Sequence, residues 1–139
     1  MESRKFAKKR FWLHMISMPM IWAPLPVIIV LDIVGEMYHH ICFPIYGIEK
    51  VKRKEYVQII DRSKLQYLNW FEKLGCMYCG YANGLAAYAV EIAGRTEKYW
   101  CGIIHEKKPG FKVQSHQIKY NFTEFGDEKD FKEKYPREK

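Results

Sequence analysis

Residues 11–43 carry only two formal charges, Asp32 and Glu36, in a stretch that is otherwise dominated by apolar side chains. Its densest part, residues 15–34, matches the ~20 residues that a spanning helix needs. Such a run can be buried in only two places, the bilayer or the core of a folded domain. A cleaved signal peptide fits poorly, because the apolar region is too long and no small-x-small cleavage site follows it. The chain has 139 residues, so an anchor of this length leaves fewer than a hundred for a soluble body. A body of that size buries little apolar surface, and a metal would be a natural added staple.

Three prolines, Pro19, Pro24 and Pro26, interrupt the run. Each removes a backbone donor and disfavours helix at the residue before it. The Pro24-Leu25-Pro26 pair divides the segment into arms 11–23 and 27–43. Residues 1–10 carry a net +4 and residues 49–64 a net +3, which together make up the chain's whole excess of +7. Basic flanks tend to stay on the cytoplasmic side. The pattern therefore favours a membrane hairpin that enters and leaves by one face, with both termini cytoplasmic. A single kinked transmembrane helix is the competing arrangement, and Asp32 is costly in either.

A pI of about 9.2 ordinarily raises nucleic-acid binding. Here the charge flanks an apolar run and reads as juxtamembrane charge facing anionic lipid, at roughly 1 kcal/mol per basic residue. The expected partners are the lipid bilayer and a membrane protein, with no nucleic acid and no inferable small molecule. The aromatic content of 16% suits a membrane interface and an ordinary core alike.

The second arm ends in Glu36, His39 and His40, which converge on one face of a helix. Glu-x-x-His is a pair used by di-iron bundles, but those need it twice and add two further carboxylates. This chain has no second copy. Polar residues at the headgroup level are the plainer reading, with a second polar site for metal or substrate as the alternative.

Beyond Gly47, residues 56–60 have the β-branched character of a short strand. Residues 64–74 have helical spacing, and Gly75 ends them. Asn83 caps a further helix, for which Gly94 is a natural stop. Around these elements stand Cys76-x2-Cys79 and, after a gap of 21, Cys101-x3-His105. That is the ligand set and spacing of a tetrahedral structural zinc site, and iron uses the same ligands. Buried thiols, a disulfide or a redox Cys-x2-Cys are the other readings of these residues. An unbroken helix over residues 84–98 would separate its ends by about 22 Å. A shared site therefore requires the helix to stop or bend near Gly94.

The run Cys-x-Tyr-Cys-x-Tyr-x-Asn-Gly at 76–84, the Ala-Gly-Arg-Thr-Glu at 93–97 and Tyr99-Trp100-Cys101-x3-His105 resemble a family of small bacterial proteins. Tyr38-His39-His40 and Phe43-Pro44-x-Tyr46-Gly47 look like part of the same pattern. The resemblance implies that the motif is one unit, and it brings no activity with it.

The expected fold is mostly α with a short β element. An anchor occupies 1–46, a small α+β metal-binding body 47–110, and a charged extension 111–139. Within the extension, residues 111–122 read as a strand or hairpin arm and 126 onward as a solvated tail. His116, between Gln114, Ser115 and Gln117, reads as a surface residue. No nucleophile–base pair or phosphate-cradling loop can be named. The expectation is a membrane-anchored zinc module acting as an accessory or docking subunit, its body on the cytoplasmic face. The alternatives are a membrane-interface enzyme using Glu36, His39, His40 and the cysteines, and a structural subunit without metal.

Overall fold

The computed structural model describes residues 11–136. The basic block at 1–10 lies outside the described residues. The chain divides into two compact units, 1–38 and 39–139, so the boundary falls eight residues before the anchor edge expected at 46.

The first unit holds α1 (Phe11–Trp22) and most of α2 (Leu25–Tyr46). The break between them comes at Ala23-Pro24, as the prolines require. Pro26 falls in the first turn of α2, where its missing donor would have had no helical partner anyway. On either side of the break, helical hydrogen bonds resume, Ala23 N–H to the Pro19 carbonyl and Ile28 N–H to that of Pro24, both 2.9 Å. Among the described residues α1 and α2 show no extensive packing against each other, and one long apolar helical stretch stands where the hairpin was expected. Residues Met15–Tyr46 are long and apolar enough to cross a membrane, with a mean hydropathy of 1.9 over the most apolar window and none of that window buried.

The second unit begins with the last two turns of α2. Gly47 (φ +68°) ends that helix. Its N–H donates to the Pro44 carbonyl, and the Ile48 N–H donates to the Phe43 carbonyl. These two bonds form a Schellman cap, which needs a left-handed residue at the Gly47 position. The dominant element is α3 (Trp70–Trp100), started by a reciprocal cap in which Asn69 and Glu72 bond each other's backbone at 2.8 and 3.0 Å.

α2 and α3 run in the same direction where they touch. His39 meets Tyr88, and seven residues later Tyr46 meets Tyr99 and Trp100. The chain between them returns along α3 in the opposite sense. The Glu49 carbonyl accepts from Arg95, the Tyr56 carbonyl lies over Gly84 and the Gln58 carbonyl over Gly80. A Cβ on Gly84 would stand 2.6 Å from the Tyr56 oxygen, and one on Gly80 2.5 Å from the Gln58 oxygen. The two glycines, one helical turn apart, make the groove in which residues 56–59 lie.

Residues 56–60 form no strand, and the helix expected at 64–74 is present only from Trp70 onward, after a 3-10 turn at Arg62–Lys64. With the groove satisfied by close backbone packing, no neighbouring strand is present to pair with. Neither Gly75 nor Gly94 stops α3. Asn83 sits mid-helix and donates to the Cys79 carbonyl at 2.9 Å, so it caps nothing. α4 (Ser115–Lys119) and α5 (Glu128–Lys134) replace the strand and the solvated tail expected after residue 110. The only β feature among the described residues is one parallel bridge, Ile103 to Thr123. The core gathers Phe43, Val51, Leu85, Tyr88, Ile92, Ile104 and Phe122. Two of α2's residues, Phe43 and His39, are thus among the most buried side chains of the unit.

Candidate functional site

Cys76 and Cys79 lie in the first third of α3, and Cys101 caps its far end. Twenty-five positions separate Cys76 from Cys101, about 37 Å of helix at 1.5 Å per residue. Tetrahedral zinc holds its sulfur ligands within roughly 4 Å of one another. The four-ligand site expected from Cys76, Cys79, Cys101 and His105 is therefore corrected: the helix that had to stop at Gly94 does not. All four cysteines, including Cys42, are free thiols. Only the second half of the motif comes together, Cys101 and His105 lining an open cleft of about 600 Å³ with Glu97 and Phe111.

His39 is 2% exposed and uses both ring nitrogens. The backbone N–H of Val51 donates to Nε2 at 2.9 Å, and Nδ1 lies 3.0 Å from the Tyr88 hydroxyl. A backbone amide can only donate, so Nε2 presents its lone pair and the proton sits on Nδ1, which donates to the Tyr88 oxygen. Glu36, His39 and His40 share one stretch of α2, with one ligand atom from each within 4.8 Å of the others. A metal there would have to take the lone pair that holds the Val51 amide, leaving a buried donor unsatisfied at about 1–3 kcal/mol. His39 is thus the hinge pin of the body's packing. His40 is exposed.

A denser polar cluster surrounds Glu91, which is 6% exposed on the middle of α3. Lys119 Nζ donates to both carboxylate oxygens at 2.9 Å, Arg95 Nε donates to one at 3.1 Å, and the Tyr120 hydroxyl also donates to it. Burial pushes the Glu91 carboxyl up, but the bonds from Tyr120, Lys119 and Arg95 outweigh it and bring the pKa down to about 2. Nearly two turns further on, Glu97 takes His116 Nε2 at 2.8 Å and Gln117 Nε2 at 3.0 Å. His116 is buried, contrary to the surface position its polar neighbours suggest, because Gly94 makes room for it: a Cβ there would stand 2.9 Å from that of His116.

Arg95 also reaches the Glu49 carbonyl at 2.7 Å, and so closes one wall of a cleft of about 750 Å³. Lys98, Lys134, Tyr99, Tyr120 and Tyr135 line it together with Glu49 and the Gly47-Ile48 turn, and Lys134 is paired with Asp130. The Lys98 ammonium stands 5.4 Å over the Tyr120 ring and makes no ion pair among the described residues. Sequence reasoning missed this cleft and the Glu91 cluster. The Glu91–Arg95 spacing of four is the one local signal for it; Lys119 and Tyr120 arrive from a separate helix.

No known protein family, curated protein or solved structure matches the chain.

Proposed function

We propose that this chain is a membrane-anchored accessory module whose body is a docking platform and not a catalyst. The observation that carries the reading is the apolar rod. Trp12, Ile16, Met20, Val27, Val30 and Ile33 are all more than half exposed, and an apolar surface that broad is what lipid covers. Among the described residues of the body, the buried ionisable groups are engaged with one another in hydrogen bonds, which is the pattern of a scaffold. The Lys98 ammonium, in a cleft edged with tyrosines, suits an acidic group on a partner protein.

A single span places the two basic flanks on opposite faces, so only one can obey the positive-inside tendency. The segment after the span holds six basic residues between 50 and 64, against five in residues 1–10. Exposed thiols at Cys79 and Cys101 suit a reducing compartment. Both favour a cytoplasmic body with the N-terminus outside. The test of anchoring is an alkaline wash of membranes carrying the full chain: retention is expected, and release into the supernatant refutes the reading. Labelling Cys79 and Cys101 in intact cells with a membrane-impermeant maleimide tests the side. No labelling before lysis is expected; labelling before lysis reverses the orientation.

A further inference from the structure

Cys76 and Cys79 stand one turn apart on α3, the first half-buried and the second exposed. Their distance from Cys101 excludes a shared metal site, but it leaves open chemistry between the two of them. Along an α-helix, residues three apart have Cα atoms about 5 Å from each other. That lies inside the ~4.4–6.8 Å over which a disulfide joins two residues. The Cβ atoms of such a pair are about 5–6 Å apart, whereas a disulfide draws them to ~3.8 Å. Closing the bond therefore requires the turn to give by roughly 1–2 Å.

The local sequence supplies that give. Glycines bracket the pair, Gly75 on one side and Gly80 on the other. A glycine inside a helix frees the backbone and weakens the helix relative to alanine. Gly80 is required where it is, because the Gln58 carbonyl occupies the place of a Cβ. Gly75 has nothing within 4 Å of that place, so no packing accounts for it. On the far side of the pair, the Asn83 side chain donates to the Cys79 carbonyl at 2.9 Å. It keeps that acceptor satisfied when the helical bond to it lengthens.

We infer that Cys76 and Cys79 form a reversible dithiol–disulfide site, oxidised by a small disulfide of the glutathione class, whose closure loosens the return segment at 56–59. Cys79, the exposed thiol, attacks one sulfur of the incoming disulfide as its thiolate and expels a thiolate. Cys76 then attacks the Cys79 sulfur of the mixed disulfide and expels the second thiolate. The two cysteine protons end on the two leaving thiolates, and the two electrons lost by the pair reduce the incoming disulfide. The strained product is readily reduced again, so the pair rests as the dithiol in a reducing compartment. Closure shifts the turn that ends at Gly80, where a Cβ would stand 2.5 Å from the Gln58 oxygen. The return segment thereby loses its seat.

The experiment equilibrates the full chain in detergent with oxidised and reduced glutathione over a series of ratios, then alkylates the remaining thiols. Cutting after Lys73 and Arg95 releases residues 74–95, which hold Cys76 and Cys79 and no other cysteine. At oxidising ratios this peptide is expected to be unalkylated and lighter by two hydrogens. The amides of Tyr56 and Val57, both bonded to the Arg53 carbonyl, are then expected to exchange with deuterium several-fold faster. Cys76→Ser is expected to stall with one glutathione on Cys79. Gly75→Ala, which stiffens the turn, is expected to shift the balance toward the dithiol about two- to fivefold. A peptide that stays alkylated at both cysteines, or carries two glutathiones, at every ratio overturns the inference. A closed peptide with unchanged exchange at Tyr56 and Val57 contradicts the coupling to the return segment, and an unshifted balance in Gly75→Ala contradicts the role of that glycine.

Discussion

The Tyr88 hydroxyl lies 3.0 Å from Nδ1 of His39, joining residues 49 positions apart at the point where the apolar helix becomes part of the folded body. His39 also packs edge-on against Phe43, with 4.7 Å between ring centroids. Tyr88→Phe leaves the Nδ1 proton without its acceptor and is expected to cost about 1–3 kcal/mol. His39→Ala also empties a buried ring site and is expected to cost about 3 kcal/mol or more. Urea unfolding in detergent measures both, and nitrogen NMR of His39 should show the proton on Nδ1. A proton on Nε2 contradicts the bond from Val51.

The glycines of α3 separate two effects of the same substitution. Gly75 has nothing within 4 Å of where a Cβ would stand, so Gly75→Ala should stabilise the helix by about 0.5–1 kcal/mol. Gly80→Ala and Gly84→Ala drive a methyl into backbone carbonyls and should destabilise by about 1–3 kcal/mol each. Thermal denaturation distinguishes them by sign. Equal effects at all three positions would mean that residues 56–59 do not lie in the glycine groove.

Those glycines also mark how far the sequence could be read. The apolar run, its break at Pro24 and the mostly helical character are all legible, because lipid-length hydrophobicity and proline chemistry act locally. Gly75 and Gly94 look like helix stops for equally local reasons, yet α3 runs through both. Gly75 has nothing packed on it, whereas His116 lies across Gly94 as the return segment lies across Gly80 and Gly84, and such pairing leaves no trace in spacing. The same holds for the cysteines. Cys-x2-Cys and Cys-x3-His have ligand spacing, but only an uninterrupted helix between them reveals that they stand at its opposite ends. Glu91 escaped notice because two of its three partners, Lys119 and Tyr120, lie almost thirty residues away.

Acid should weaken the body through Glu91. Its folded pKa, about 2, is depressed below the ordinary 4.5. The stabilisation is therefore fully present above pH 4.5 and is lost as pH falls toward 2, by about 3 kcal/mol in total. Glu91→Gln should abolish most of that pH dependence and, by leaving Arg95 and Lys119 without their carboxylate, destabilise the neutral-pH protein by about 3 kcal/mol. Unfolding curves at several pH values between 2 and 6 measure this. An unchanged slope in Glu91→Gln would place the acid sensitivity elsewhere.

Cysteine substitutions test the separation of the two half-motifs. Cys76→Ser with Cys79→Ser, and Cys101→Ser alone, should have effects on stability that add within about 0.5 kcal/mol when combined. They should also leave the metal content of the purified protein unaltered. Strong coupling between the pairs, or joint loss of one equivalent of zinc, would require the two ends of α3 to meet.

The boundary between anchor and body is most directly tested by cutting the chain at residue 38 and comparing fragment 39–139 with the full chain. Fragment 39–139 keeps His39 and Phe43, so it should fold, give a helical circular dichroism spectrum without detergent, and come off membranes in an alkaline wash that leaves the full chain behind. Fragment 47–139 lacks both side chains and should be unfolded or aggregated. If 39–139 needs detergent and resists the wash as the full chain does, or if 47–139 folds equally well, the division between a lipid-covered rod and a body pinned by the end of α2 is contradicted.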